Sequence, residues 1–475
     1  MLSIFRPVLL PSLAVIALAG LTMGAAAPTA ASAAPKTITV AVDGNDRAAG
    51  TLSAPLRTIQ EAVKRLSSGG TVDIRGGRYY QTVDLTGASG ITVEAYRHEP
   101  VILDGSRFKP ADGRSAMVTI ENSSHVTVTG LEITDYRSSE IDAMPIGIYV
   151  HGADDHVLIS GNHVHDLGND NQTMGSFDIN AHGIAVYGDD PTHSITDLTI
   201  SKNTVDHLSL GASETVVVNG NVDGWVISGN DIHDNNNIGI DAIGYESTLT
   251  GKYRYTDLNR ARNGVISDNQ VSYIRSQGNP AYYEDGGWCN CADGIYVDGG
   301  THIVIRNNVV TGNDIGIEVA AENARGSADF VNVQSNTISN SLYVGITTGG
   351  YCDGASDCGD VKTGQSHDNT FTGNTLRNNN KLNDGSPEVL IQFYAFDNVI
   401  RNNTITATND AGALIGTVDR ADADKVSGHN VSDKNTFAVS GANVSFGWLG
   451  QTYSSLKAYQ KATGQDLHST LSAAR

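Results

Sequence analysis

Between Asp293 and Glu322 the chain reads DGIYVDGGTHIVIRNNVVTGNDIGIEVAAE, with four carboxylates at recurring positions. Asp293 and Asp298 bracket one Gly-Ile-x-Val stretch, and Glu318 and Glu322 sit within and just after a second copy. Like charges held close together push one pKa up, so that one carboxyl stays protonated while another is ionised. That division suits acid–base or nucleophilic chemistry. If the two copies are successive coils of one solenoid, they lie roughly 4.8 Å apart, and residues two apart on a strand are separated by about 6.7 Å. Asp298 and Glu318 then become diagonal neighbours with Cβ atoms roughly 7–8 Å apart. Glycosidic-bond hydrolysis uses two carboxyls about 5–9.5 Å apart. Asp298 and Glu318 are therefore the candidate catalytic pair. A lone acid here would be read as solvated surface; four within two coils, flanked by glycines, are not.

The solenoid itself is legible as a repeat. A V-x-I-S-G-N-x-V element places Asn at positions 162, 203, 230, 269, 308, 336, 374 and 403, at spacings of 27 to 41 residues. The short spacings are one coil, and the long ones are a coil plus an inserted loop. Each Asn can turn a tight corner and stack on the Asn of the next coil. Short Val/Ile strands with period-2 alternation surround these corners, the chain holds 52 glycines, and long helical periods are lacking. The expected fold is all-β, a parallel β-helix whose inward side chains stack into a continuous core.

Aligning the Gly-Ile-x-Val strands puts Ile148, Ile184, Val216, Ile240, Ile295, Ile317 and Ile346 in one inward column. The next outward column is Tyr149, Ala185, Val217, Asp241, Tyr296, Glu318 and Thr347, so Tyr296 separates Asp241 from Glu318. His182, Glu214 and Asp293 precede their strands. Asp241, Asp293, Tyr296, Glu322, Glu214, His182 and Trp288 are expected to bind substrate or tune the pair. Long insertions at 166–181, 275–292, 245–263 and 350–368 border the same face and should wall a cleft. They carry Tyr253, Tyr255, Tyr282, Tyr283 and Trp288, rings able to stack on sugar.

The ends are read as covers. Pro55 to Leu66 places Leu56, Ile59, Ala62, Val63 and Leu66 on one helical face. Such a helix would cap the first coil and protect its edge. The Asn repeat is expected to fade from about Asp419, so that 34–418 is the β-helix and 419–475 a C-terminal coil and cap, with Phe446 to Tyr459 as a cover.

VDGNDRAAGT, TIQEAV and GGTVDIRGGRYY, between Thr37 and Tyr80, resemble the start of secreted right-handed parallel β-helix proteins of the pectate-lyase-like class. With the Asn repeats, the resemblance spans nearly the whole chain after residue 33 and implies a right-handed β-helix. It says little of the reaction, because this fold carries lyases, hydrolases, epimerases and adhesins. G-I-Y-V-D followed one coil later by G-I-E-V resembles β-helical glycoside hydrolases such as the family 120 β-xylosidases. That resemblance implies Asp298 as nucleophile and Glu318 as acid/base, although Gly299 stands where an aromatic usually follows the Asp. The three-Asp and Gly-His-Gly signatures of polygalacturonases are absent. A second reading, resembling polysaccharide lyase families 6 and 9, has the acids holding Ca²⁺ against a uronate polymer; the outward face lacks a Lys base, with Lys252 and Arg254 only in a loop and His182 as a substitute. A third is a non-catalytic carbohydrate-binding solenoid, which would spread its aromatic or polar ladders over many coils.

Compartment and charge fit an exported protein. Residues 1–33 read as a signal peptide: Arg6, an apolar run from Val8 to Leu21, then Ala31-Ser32-Ala33. The apolar run is shorter than the roughly 20 residues of a spanning helix. With 52 acids against 31 Lys and Arg, the formal charge is −21, which disfavours nucleic acid and anionic membrane as partners. Cys289, Cys291, Cys352 and Cys358 suit disulfide staples in an oxidising compartment, with the pairing left open. The expectation is a secreted monomeric glycoside hydrolase with a carbohydrate substrate, no required cofactor and no structural metal.

Overall fold

Three short strands per coil build three long sheets. In the coil that leads to the acidic stretch, Val304–Arg306, Val309–Thr311 and Ile315–Ala320 each enter a different sheet. Each then pairs in parallel with the following coil, through Val304↔Asn332, Val309↔Thr337 and Ile317↔Ile346. The computed structural model describes residues 36–474 apart from 68, 285, 351–362 and 418–426. Among these residues each of the three sheets has 13 strands. Within these three sheets the strands pair in parallel except at a closing hairpin, Ser445–Trp448 with Gln451–Tyr453. The expected parallel β-helix is the fold. Residues 1–33, expected to be a signal peptide, and Cys352, Cys358 and the 418/419 boundary lie outside the described residues.

The Asn corners supply much of the reason for this regularity. Asn308 donates from Nδ2 to Ile266 O and to Asn336 Oδ1, while its own Oδ1 accepts from the backbone N–H of Asn269. The same exchange runs from Asn162 through Asn203, Asn230, Asn269, Asn308, Asn336, Asn374 and Asn403. It does not end before Asp419: Asn403 passes it on to Asn435. These amides are buried, so each satisfies backbone groups that water cannot reach.

Inside, Ile148, Ile184, Val216, Ile240, Ile295, Ile317 and Ile346 form the predicted column, and the pairing register confirms every step. All are buried, as parallel strands covered on both faces require. The N-terminal helix, Ile59–Arg65, is capped by Thr58, whose side chain accepts from Glu61 N. It buries Ile59, Ala62 and Val63, with Leu56 and Leu66 beside them, over the first coil. At the other end Leu456–Thr463 brings Tyr459 against Phe446 and Trp448. Both apolar ends of the solenoid are thus closed.

Candidate active site

The strands Ile240–Ile243, Asp293–Asp298 and Ile315–Ala320 lie side by side in one sheet. Register places Asp241 beside Tyr296, Tyr296 beside Glu318, and Asp298 beside Ala320. Asp298 and Glu318 are therefore the diagonal neighbours that the sequence suggests. What differs is exposure. Asp241, Asp293, Asp298 and Glu318 are only 2%, 3%, 5% and 5% exposed, not displayed on an open face. The insertions fold over the strands and take water away from them: Phe177 from one loop meets Tyr282 from another edge-on at 5.5 Å.

Beneath these rings lie two contiguous lobes that share Phe177, Ile238, Tyr282 and Glu322. One, about 400 Å³, is lined by Asp293, Tyr296, Glu318, Tyr343 and Gln392, with Cys289, Asn290 and Cys291 at its side. Cys289 and Cys291 are paired with each other. The second lobe, about 530 Å³, gathers Glu214, Asp241, Glu246, Asp298 and Glu322, with Arg114 and Tyr187 at one end. Both volumes are of the size that admits sugar units or other small ligands.

Glu318 finds its partner in Asp293 rather than in Asp298. The two carboxyls lie within reach of each other, and Asp293 Oδ1 and Glu318 Oε1 have no N–H or hydroxyl donor among the described residues. Two ionised carboxylates cannot hydrogen-bond, so the arrangement calls for a shared proton. Burial pushes the Glu318 pKa up to about 8, with repulsion from Glu322 added and the contact with Asp293 drawing it back. Asp293 is raised by burial and then by Glu318.

Asp298 has a different setting. Its Oδ1 accepts the backbone N–H of Glu322 at 2.6 Å, and its own N–H points at Asp241 Oδ1 at 3.4 Å. Burial and the Glu322 charge raise its pKa, and the Glu322 N–H draws it back. Asp241 and Glu214 are raised by burial first and by neighbouring acids second. Glu322 is crowded by protein, which pushes it up to about 7, with Glu246 adding to this. Its side chain nonetheless opens to the cleft, where water screens part of that effect.

The turn after Asp298 explains Gly299. Its φ is +75°, and an added Cβ would stand 3.0 Å from the Tyr245 ring. Arg260 braces the same turn from behind, donating to Gly299 O, Gly300 O and Ser327 O and pairing with Asp329 at 2.8 Å. A cavity of about 550 Å³ lies at this brace, but its buried Arg260 is fully engaged by the fold.

Several expected residues take other roles. His182 is fully buried and lines neither lobe. Its Nδ1–H donates to Glu214 O at 3.0 Å and its Nε2 accepts from the Tyr187 hydroxyl at 3.2 Å. Burial lowers its pKa to about 3, so it is a neutral prop rather than a base that titrates near neutrality. Trp288 packs edge-on against Tyr283 in a small hairpin and lines neither lobe. Tyr253 and Tyr255 pack under Lys252 and Arg325 instead of facing the cleft. A ring in a loop carries no directional signal in sequence, which is why these were misplaced and Tyr282 was not distinguished from them.

Arg114 was not foreseen. It comes from the strand Gly113–Glu121, two coils before His182, with no acid or Gly-Ile motif to mark it. Its guanidinium stacks on the Tyr187 ring at 3.9 Å and makes no ion pair among the described residues. Among the described residues it is the one cation lining the second lobe.

Residues 38–280 match the family described as Pel9A-like, right-handed β-helix region. The chain is also 36% identical over 434 residues to the uncharacterized protein YwoF of Bacillus subtilis (strain 168), spanning 90% of this chain and 86% of YwoF. It belongs to the Pel9A-like right-handed β-helix family. A shorter match, 32% identity over 124 residues, links it to pectate lyase PEL9 of Emericella nidulans, over 24% of this chain and 30% of that one. Among solved structures, the mannuronan C-5 epimerase AlgE6 A-module of Azotobacter vinelandii superposes with a TM-score of 0.54 at 14% identity. That superposition covers 88% of this chain and 94% of the A-module and reports a shared fold. The Pel9A-like family match ends at residue 280, so Asp293, Asp298, Glu318 and Glu322 lie beyond it, while Arg114, Glu214 and Asp241 lie within it.

Proposed function

We propose that this chain is a secreted glycoside hydrolase that cleaves a polysaccharide or oligosaccharide in the cleft over Asp293–Asp298 and Ile315–Ala320. The observation that carries this reading is the Asp293–Glu318 pair, which keeps a proton near neutral pH in a carboxyl facing a sugar-sized cavity. In that reading Glu318 donates its proton to the glycosidic oxygen as the C–O bond breaks. Asp298, the diagonal carboxyl held by a backbone N–H, either attacks the anomeric carbon as nucleophile, with water later hydrolysing the ester, or takes the proton of the water that attacks it. Asp293 returns Glu318 to its protonated state, while Asp241, Glu214 and Glu322 set the charge around Asp298. Tyr282, Phe177 and Tyr296 offer faces and edges for sugar rings.

A second reading, a Ca²⁺-dependent lyase, is favoured by the five carboxylates of the second lobe and by the kinship to a pectate lyase. Asp241, Asp298, Glu322, Glu246 and Glu214 supply oxygen donors of the kind Ca²⁺ takes, and their side chains would have to move together to converge on one ion. Bound there, the ion would offset the acids and neutralise a uronate carboxylate, and Arg114 would face the same anion.

The deciding experiment measures reducing-end release and absorbance near 235 nm on neutral and uronic polysaccharides, with and without chelator. New reducing ends without unsaturation, lost in Asp298→Asn and Glu318→Gln and indifferent to chelator, support the hydrolase. Unsaturated products that vanish with chelator replace it with the lyase.

A further inference from the structure

We propose that His125, Asp155 and His156 form a surface site for a borderline transition-metal ion such as Zn²⁺ or Cu²⁺, bridging neighbouring coils near the N-terminal end of the solenoid. The three sit on a different sheet from the cleft. Ser124–Thr129 pairs with Asp155–Ser160, which pairs with Ile195–Ser201, and the register stacks His125, His156 and Asp197 in one column. All three share a left-handed backbone, φ +54°, +53° and +51°. Each coil therefore kinks at the same place and presents its side chain outward. The two imidazoles lie 4.4 Å apart and nearly parallel.

One ligand atom from each of His125, Asp155 and His156 falls within 4.8 Å of the others. Asp155 is held in place by the Thr196 hydroxyl at 2.7 Å, the kind of outer support that orients a metal-binding carboxylate. Asp197 Oδ2 lies 3.7 Å from His156 Nδ1, within a small rotation of a fourth position. Two imidazoles with one or two carboxylates suit Zn²⁺ and Cu²⁺, whereas Ca²⁺ and Mg²⁺ prefer all-oxygen shells. The other large histidine group differs. There His163 and His207 each point a ring nitrogen at the buried Asp206, whereas here His156 Nδ1 pairs with Asp155 Oδ2 at 2.7 Å on an exposed surface, a contact that an ion between them would replace. An ion at the first group would tie His125 of one coil to Asp155 and His156 of the next.

The test uses the full chain, titrated with Cu²⁺ and Zn²⁺ by calorimetry, with Cu²⁺ electron paramagnetic resonance as a second readout. His125→Asn and His156→Asn are the variants, because Asn tolerates the left-handed backbone that Ala would strain. The expected result is one equivalent bound, imidazole-nitrogen coupling in the spectrum, and an unfolding midpoint that rises with metal. Each variant should weaken binding at least tenfold and leave carbohydrate cleavage unchanged. Absence of binding by the parent chain, or binding by either variant as strong as the parent's, overturns the proposal.

Discussion

Glu318→Gln is the perturbation whose consequence the structure defines most sharply. The Glu318 carboxyl is carried from an ordinary 4.5 to about 8 in the folded protein. That displacement corresponds to about 5 kcal/mol against the charged form, an upper bound because Asp293 shares the proton. The sign follows from proton counting. Between about pH 4.5 and 8 the folded chain keeps a proton that the unfolded chain releases, so stability falls as pH rises through this window. Gln cannot ionise, and its amide can donate to Asp293, so the variant escapes this loss. Urea unfolding at pH 4, 6 and 8.5 should show little difference between Glu318→Gln and the parent at pH 4. At pH 8.5 the variant should be the more stable by about 2–5 kcal/mol. Cleavage activity should be lost at every pH. A pH-independent stability difference would refute the shared-proton account, whatever the activity.

Three further outcomes follow from named contacts. Asn308→Ala removes an amide that serves Ile266 O and Asn269 N in the buried ladder, and should cost about 2–4 kcal/mol in chemical denaturation. Gly299→Ala forces a side chain onto a +75° backbone beside Tyr245; a loss of about 1–3 kcal/mol and reduced activity through displacement of Asp298 should appear together. His182 should stay neutral down to about pH 4 in a nitrogen-detected titration, since its pKa is lowered to about 3. The stability it contributes is full above pH 6.5 and drains as pH falls from there toward 3, because the unfolded chain takes up the proton first.

Much of this protein was readable before folding was considered, and the reason is locality. Asn corners, period-2 strands and Gly-Ile-x-Val copies are short signals, and stacking repeats them at one spacing, so the column from Ile148 to Ile346 needed no loop geometry. The same logic brought Asp241, Tyr296, Glu318 and Asp298 together. It also closed the chain with Ile59–Arg65, whose apolar face is a property of seven residues.

The sequence by itself thus determined the coil, its register and which acids share a face. Only the tertiary structure decided what those acids are to one another. Burial in a cleft bordered by Tyr282, on the insertion just before Asp293, and by Phe177, on an insertion from an earlier coil, shut most of these strand-borne acids off from water. Small displacements within a few ångströms then gave Glu318 to Asp293, placed Asp298 on the Glu322 N–H, and set Arg114 across the lobe on Tyr187. The loop rings Trp288, Tyr253 and Tyr255 turned away for the same reason: a loop's direction comes from what it packs on, and no residue-by-residue period records it. Periodic backbone pairing is encoded locally, whereas proton sharing depends on distances and burial that exist only once every coil and loop is in place.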